Sequence, residues 1–272
     1  MTLDNSNYFS PEANLKYQSV SQIKSFCGFP MKDGCETAAM AELKGEYVKP
    51  VTDSLLIGSY VDAYFSNELD SFKKQHPEIF SSRGENKGKL KAQYQDADVM
   101  IERILKEELL KKYLAGDKQK IFTGKINGVD FKIKVDSIDG RRITDLKTCE
   151  SIDKTYYIPA QKMNMNFIEA FDYLLQACAY QEIVRQNTGD KLPFYIVAVS
   201  KERSNGIAHP RVGLIQIPDE VIDAQMDRLK EDVERVQLLK DGTIEPIRCE
   251  KCDYCADTKV INKPISLYDL LS

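Results

Sequence analysis

The chain has 272 residues, 42% hydrophobic and 29% charged, with a formal net charge of −4. That balance suits a soluble globular protein with a sizeable core. It argues against a protein that coats nucleic acid non-specifically, while leaving room for a local basic groove. No apolar run approaches the roughly 20 residues of a membrane span, and the polar start MTLDNSNYFSPEANLKYQ is not a signal peptide, so a cytoplasmic protein with no membrane partner is expected.

Residues 19–26, SVSQIKSF, read as a helix start with Ser21 as the cap. CETAAMAELKGE at 35–46 is Ala-rich and helical, stopping near Gly45. TDSLLIGSYVDAYFSNELDSFKKQ at 52–75 has one long helical pattern, and the amphipathic pattern over 92–116 runs to Gly116. Lysines cluster at RGENKGKLK (83–91) and KKYLAGDKQK (111–120), where they either line a groove or simply face solvent.

The period then changes. Residues 119–128 and 129–138 alternate apolar and polar like half-buried strands, with turn signals at 127–129 and at Asp139-Gly140. RRITDLKT at 141–148 completes a three-stranded meander. Helix resumes over 167–187, strands follow at 192–201 and 211–218, and a long helix spans 219–242. The order predicts an α/β fold with a mixed central sheet flanked by helices. One domain is expected, with a helical part over about 1–118, a core over about 119–218, and a C-terminal helix with a Cys-rich tail over about 219–272.

The meander carries the first chemical signal. With Asp139-Gly140 as the two central turn residues, Asp136 lies opposite Ile143 and Lys134 opposite Asp145. Asp136, Ile143, Asp145 and Lys147 then share a face, and the two aspartates are diagonal neighbours roughly 7–8 Å apart. Carboxylates that close repel unless a positive charge sits between them, and a hard cation such as Mg²⁺ suits them. Lys147 beside it would orient or deprotonate a water, or stabilise transition-state charge. The alternative is a solvated hairpin whose aspartates are neutralised by Lys132 and Lys134. Gln176 and Tyr180 fall at i and i+4 on a helix side opposite the apolar stripe of Phe167, Phe171, Leu174, Leu175 and Cys178. Asp62, inside an otherwise apolar turn, either faces solvent at a helix edge or is a third ligand.

Seven cysteines, an odd number, speak against a disulfide framework. Cys149 and Cys178 read as core. Cys249, Cys252 and Cys255, in CEKCDYC, are spaced for a soft metal or an iron–sulfur cluster but supply three ligands. Cys35 is the candidate fourth, with Cys27 as the alternative; unmetallated thiols stay open. His76 and His209 each precede a proline and read as loop residues with no nucleophile in view, and no phosphate-binding Gly-rich loop appears.

GVDFKIKVDSI followed by ITDLKT resembles the core of the PD-(D/E)xK nuclease superfamily. Asp136 matches its first acidic residue, although Val135 stands where the motif has proline, and Asp145-Leu146-Lys147 matches the second acidic residue, spacer and lysine. QACAY (176–180) resembles the Gln-x-x-x-Tyr motif of the RecB-like branch, and GSYVD (58–62) its Gly-x-x-x-His helix with Asp62 in place of histidine. CETAAMAELKGE (35–46), LLIGSYVDAYF (55–65) and LPFYIVAVSKE (192–202) look most similar to the phage-type exonuclease VIII (RecE-like) group. That resemblance implies a Mg²⁺- or Mn²⁺-dependent exodeoxyribonuclease. Asp62, Asp136, Asp145 and the Leu146 carbonyl would hold the metal, Lys147 would position the water, and Gln176 and Tyr180 would orient the lysine loop or the DNA. It also implies 5′-to-3′ resection of duplex ends, a role in phage-type recombination or repair with a single-strand annealing partner, and a ring-shaped homo-oligomer. For the cysteines it implies a [4Fe–4S] cluster, with Zn²⁺ chemically acceptable. Rival readings are a RecB-like nuclease of CRISPR adaptation or end-trimming, and a DNA-binding module with a degenerate site.

Overall fold

The structure is a computed structural model that describes residues 1–264 and 266–268. The N-terminal part is helical, as expected. Helices α1 (Pro11–Lys16) and α2 (Val20–Cys27) lead through a short hairpin, β1 (Gly28–Phe29) and β2 (Lys32–Asp33), into α3 (Glu36–Leu43). Ser19, not Ser21, caps α2: its backbone is extended and its Oγ accepts the Gln22 N–H. The reason lies one residue earlier. Gln18 is strapped to a core strand, its N–H donating to the Asp130 carbonyl and its carbonyl accepting the Lys132 N–H, so the chain arrives at Ser19 extended.

Two long helical patterns are each split. The 52–75 pattern becomes α4 (Asp53–Phe65) and α5 (Leu69–Gln75), separated by Asn67 in the left-handed region at φ 60°. The 92–116 pattern becomes α6 (Ala92–Leu105) and α7 (Glu108–Tyr113). The helix ends at Tyr113, just before Gly116, where a Cβ would collide with the Ile138 carbonyl of the passing strand.

The meander is β3 (Asp117–Ile126), β4 (Val129–Asp139) and β5 (Arg142–Cys149). A small hairpin, β6 (Tyr156–Ile158) with β7 (Met163–Met165), follows, then α8 (Phe167–Ala170) and α9 (Tyr173–Thr188). After α9 come β8 (Phe194–Ser200), the two-residue strands β9 (Arg203–Ser204) and β10 (Ile207–Ala208), and β11 (Val212–Ile217). Helices α10 (Asp219–Asp223), α11 (Met226–Lys240) and α12 (Asp253–Asp257) complete the described chain, so the 219–242 helix is also interrupted. The central sheet has the order β11-β8-β5-β4-β3. The β5–β8 pair is parallel and the other neighbours antiparallel, which makes the sheet mixed as predicted.

Strand β8 shows how the sheet is covered. Ile196 and Ala198 join a core with α2, α9 and α11, while Val197 and Val199 join one with α4 and α6, as period-two alternation requires. The helix expected over 167–187 breaks at Asp172, which is left-handed at φ 56° and 3% exposed. Arg228 of α11 grips its carboxylate with two bonds, of 3.1 and 2.7 Å. At the free edge of β3, side chains of α9 take the place of a neighbouring strand. Gln186 accepts the Lys125 N–H at 2.9 Å and donates to its carbonyl at 2.7 Å, and Asn187 donates to the Thr123 carbonyl at 2.9 Å. Among the described residues no helix is long and apolar enough to cross a membrane.

Candidate active site

The register of the β4–β5 hairpin differs from the expected one by two residues. Ser137 pairs with Thr144, Ile138 with Ile143 and Asp139 with Arg142, so Gly140 and Arg141 are the central turn residues. Asp139 stays in the strand because its carboxylate holds Arg142 Nε at 3.1 Å. A shift of two keeps each side chain on its face, so the aspartates still converge. They now stand across from each other rather than diagonally, and the ladder ends at that step. Asp136 Oδ2 instead accepts the Leu146 N–H at 2.8 Å.

The alternation of β4 slips at the same place: Val135 and Ile138, three residues apart, belong to one core. Across on β3, Gln119 adopts φ 49°, an uncommon conformation for a residue with a side chain. Its Nε2 thereby reaches Ser66 Oγ at 2.8 Å and both oxygens of Asp62, at 3.2 and 3.3 Å. Asp62 comes from α4, whose Gly58 lies on β5 so closely that a Cβ would sit 3.1 Å from Thr148 Oγ1. One helical turn separates the two positions, which carries Asp62 to the parted strands.

Asp145 is 2% exposed. Gln176 Nε2 donates to its Oδ1 at 2.6 Å, and Lys147 Nζ lies 2.6 Å from its Oδ2. The second contact is an ion pair only, since that oxygen meets no donor in hydrogen-bonding geometry. Tyr180 donates to the Lys134 carbonyl at 3.1 Å and so fixes the backbone of β4. Together Gln176 and Tyr180 tie α9 to the two strands that bear the aspartates. Lys147 also lies over the Tyr173 ring at 4.7 Å, with Lys24 of α2 at 5.1 Å from the same ring.

The solvated-hairpin alternative fails on these facts. Asp145 is buried, and Lys132 is turned away, buried against the Tyr8 carbonyl and Asn14 Oδ1. Asp62 does not simply face solvent either: burial, then Asp145, push its carboxyl up to about 6, with Lys147 and Lys134 pulling back. Asp136 is raised well above the usual carboxylate range by burial and by Asp145 and Asp62. Burial drags the Lys147 ammonium down, but Asp145, Tyr173 and Asp136 outweigh it and lift it above its ordinary value. Of the two lysine clusters, Lys87, Lys89 and Lys91 face solvent, whereas Lys118 is half-buried and feels Asp136 and Asp62.

The donors here are all oxygen, which suits a hard divalent cation. Three carboxylates that repel one another, with one buried oxygen lacking a hydrogen bond, suit such an ion in chemistry, although their oxygens are not gathered into one ligand set. Each is meanwhile held by a protein donor of its own. Among the described residues, only the ligand atoms of Cys35, Cys249, Cys252 and Cys255 stand within 4.8 Å of one another as a group. Cys27, the alternative fourth cysteine, is exposed and outside that group, and Cys149 and Cys178 are core, as expected.

Three neighbours escaped the sequence reading. Tyr173 was legible, because it stands three and seven residues before Gln176 and Tyr180 on one helix side. Gln119 and Lys24 gave no signal, since neither a left-handed strand residue nor a long-range approach leaves a local pattern.

Residues 19–258 match a family described as "PDDEXK-like domain of unknown function (DUF3799)". The chain is also similar to a protein of known crystal structure from Eubacterium rectale described as a "Putative exonuclease". The two are 41% identical, with a TM-score of 0.92, over 99% of this chain and 98% of the other. No curated protein matches the chain.

Proposed function

Because this chain belongs to the PDDEXK-like family, we propose that it is a divalent-metal-dependent nuclease that degrades linear double-stranded DNA from its ends, all 272 residues serving as one nuclease domain. The reading rests on Asp145, a buried carboxylate held between Gln176 and Lys147, with Asp136 and Asp62 beside it. The description of the Eubacterium rectale protein as an exonuclease favours attack at ends.

Asp62, Asp136, Asp145 and the Leu146 carbonyl would hold Mg²⁺ or Mn²⁺. Such an ion supplies Lewis-acid polarisation of a phosphoryl oxygen and a more acidic water. The chain supplies the rest. Gln176 keeps Asp145 oriented, Gln119 does the same for Asp62, and the Leu146 N–H fixes Asp136. Asp145 lifts the Lys147 ammonium above its ordinary value, which suits a positive charge for the phosphate and a donor that aligns the attacking water. The buried walls of the site strengthen each of these interactions. The finer reading is 5′-to-3′ resection in phage-type recombination or repair, with a single-strand annealing partner and a ring of copies around the duplex.

The test is cleavage of end-labelled linear duplex with Mg²⁺, against EDTA, a closed circular duplex and Lys147→Ala. Loss of linear DNA only with metal and Lys147, while the circle survives, supports the reading, and the label position gives polarity. Loss of Lys147 should slow cleavage on the order of 10²–10⁴-fold while DNA binding persists. A wild type that binds DNA but leaves every substrate intact in Mg²⁺ and Mn²⁺ would make the chain a binding module instead.

A further inference from the structure

Four cysteines join the two ends of the described chain. Cys35 precedes α3, and Cys249, Cys252 and Cys255 lie in the tail. Cys35 and Cys252 occupy the N-caps of α3 and α12, yet neither makes a side-chain cap bond. A thiol is a weak acceptor where Ser, Thr, Asp or Asn would serve better, so sulfur is present there for another purpose. Glu250, left-handed at φ 57°, folds the CEKC loop back on itself. The Lys251 and Cys252 N–H groups then point at Cys249 Sγ, at 3.5 and 3.4 Å.

The sulfurs are brought together by contacts that do not involve them. Glu36 accepts from Arg235 and from the Ile247 N–H, the latter at 2.8 Å. Arg248 donates to the Cys255 carbonyl at 2.8 Å, and Lys251 pairs with Asp33 at 2.9 Å. The tail is thereby seated on α3 and the β1–β2 hairpin before any ligand is considered.

The sulfur separations discriminate between ligands. Cys35 Sγ is 3.6 Å from Cys255 Sγ, Cys249 Sγ is 4.0 Å from Cys255 Sγ, and all four lie within 4.8 Å of one another. A disulfide requires about 2.05 Å and none is formed. Four thiolates at about 2.3 Å from one tetrahedral ion stand about 3.8 Å apart, close to what is found. A [4Fe–4S] cubane places a different iron under each thiolate and spreads the sulfurs further than a single ion does. The cluster implied by the RecB-like resemblance therefore does not fit this packing.

We propose that Cys35, Cys249, Cys252 and Cys255 bind a single zinc ion, not an iron–sulfur cluster, and that this ion rivets the C-terminal tail to the N-terminal helices. Binding releases the thiol protons to solvent and leaves a doubly negative centre, at which the Lys251 and Cys252 N–H groups point. The role is structural, and the proposal stands independently of the nuclease reading because metal content is measured without DNA.

The experiment is elemental analysis and visible absorption of the full chain, purified both aerobically and anaerobically. One zinc per chain and a colourless protein are expected from both preparations. Cys252→Ser should lose the zinc, whereas Cys178→Ser, in the core and outside the group, should keep it. Should Cys252→Ser not fold, the wild type settles the matter alone. Cobalt-grown protein should show the intense visible bands of a tetrahedral thiolate site, and titration with a mercurial should release zinc as the thiols are consumed. A brown anaerobic protein carrying iron and sulfide would overturn the proposal. So would metal-free protein from both preparations, or a Cys252→Ser variant with undiminished zinc.

Discussion

Asp62→Asn should stabilise the metal-free protein while removing its metal-dependent chemistry. Burial and the nearby Asp145 raise the Asp62 carboxyl from 3.8 to about 6 in the fold. Between those values the folded chain holds a proton that the unfolded chain has lost. This group therefore makes stability fall as pH rises from about 4 to about 6, and the penalty persists in full above that window. Its size at neutral pH is roughly 3 kcal/mol. Asparagine keeps the shape and leaves Gln119 an acceptor, so the variant loses the penalty without opening a cavity. For a chain of this size that amounts to a rise of about 5–10 °C in melting temperature. Thermal unfolding in EDTA at pH 8 and pH 5 is the assay. The variant should melt higher, by a margin that is wide at pH 8 and narrower at pH 5. Added Mg²⁺ should raise the wild type more than the variant. If the variant melts at or below the wild type at pH 8 in EDTA, Asp62 is not held against charge repulsion and the account of the site is wrong.

Gln176→Leu removes the donor from Asp145 Oδ1 and should weaken Mg²⁺ binding or cleavage on the order of 10–100-fold. A titration of cleavage against Mg²⁺ reads this directly, and an unchanged half-saturation would remove Gln176 from the positioning role. Gln119→Ala should raise the Mg²⁺ requirement by releasing Asp62 while DNA binding, followed by anisotropy, stays the same. Gln119→Gly should match it kinetically yet melt higher, since glycine accepts φ 49° at no cost. Arg228→Ala leaves the buried Asp172 carboxylate without its partner and should cost about 3 kcal/mol. The urea midpoint should drop at constant slope, and an unmoved midpoint would show that water replaces the guanidinium.

The meander, its acidic pair and its lysine were legible because strands announce themselves by alternation and the motif lies within one hairpin. The turn lies one residue further along than expected, which shifts the pairing register by two, since Asp-Gly is a strong turn signal and the engagement of Asp139 with Arg142 has no pattern of its own. The parity survived, and with it the site. The helices fared worse at their joints. Apolar periodicity runs through Asn67 and Asp172, and the breaks there depend on left-handed backbone and, at Asp172, on Arg228 far along the chain. Cys35 could be nominated from its position alone. That it, and not Cys27, meets the tail follows from how α3 seats on Pro246 and Ile247, which spacing does not encode.

The amide side chains along β3 bear on how copies of this chain can associate. An outer strand with free N–H and C=O groups invites another chain to continue the sheet. Here Gln186 and Asn187 already occupy those groups at Thr123 and Lys125. A second molecule adding there would have to break three bonds and then find room where α9 lies. Sheet-to-sheet growth, and the fibrous misassembly it leads to, is blocked at that border. Copies of this chain that associate would therefore have to meet through surfaces other than this border, and the β3 edge of the sheet that carries the aspartates would stay closed as they did so.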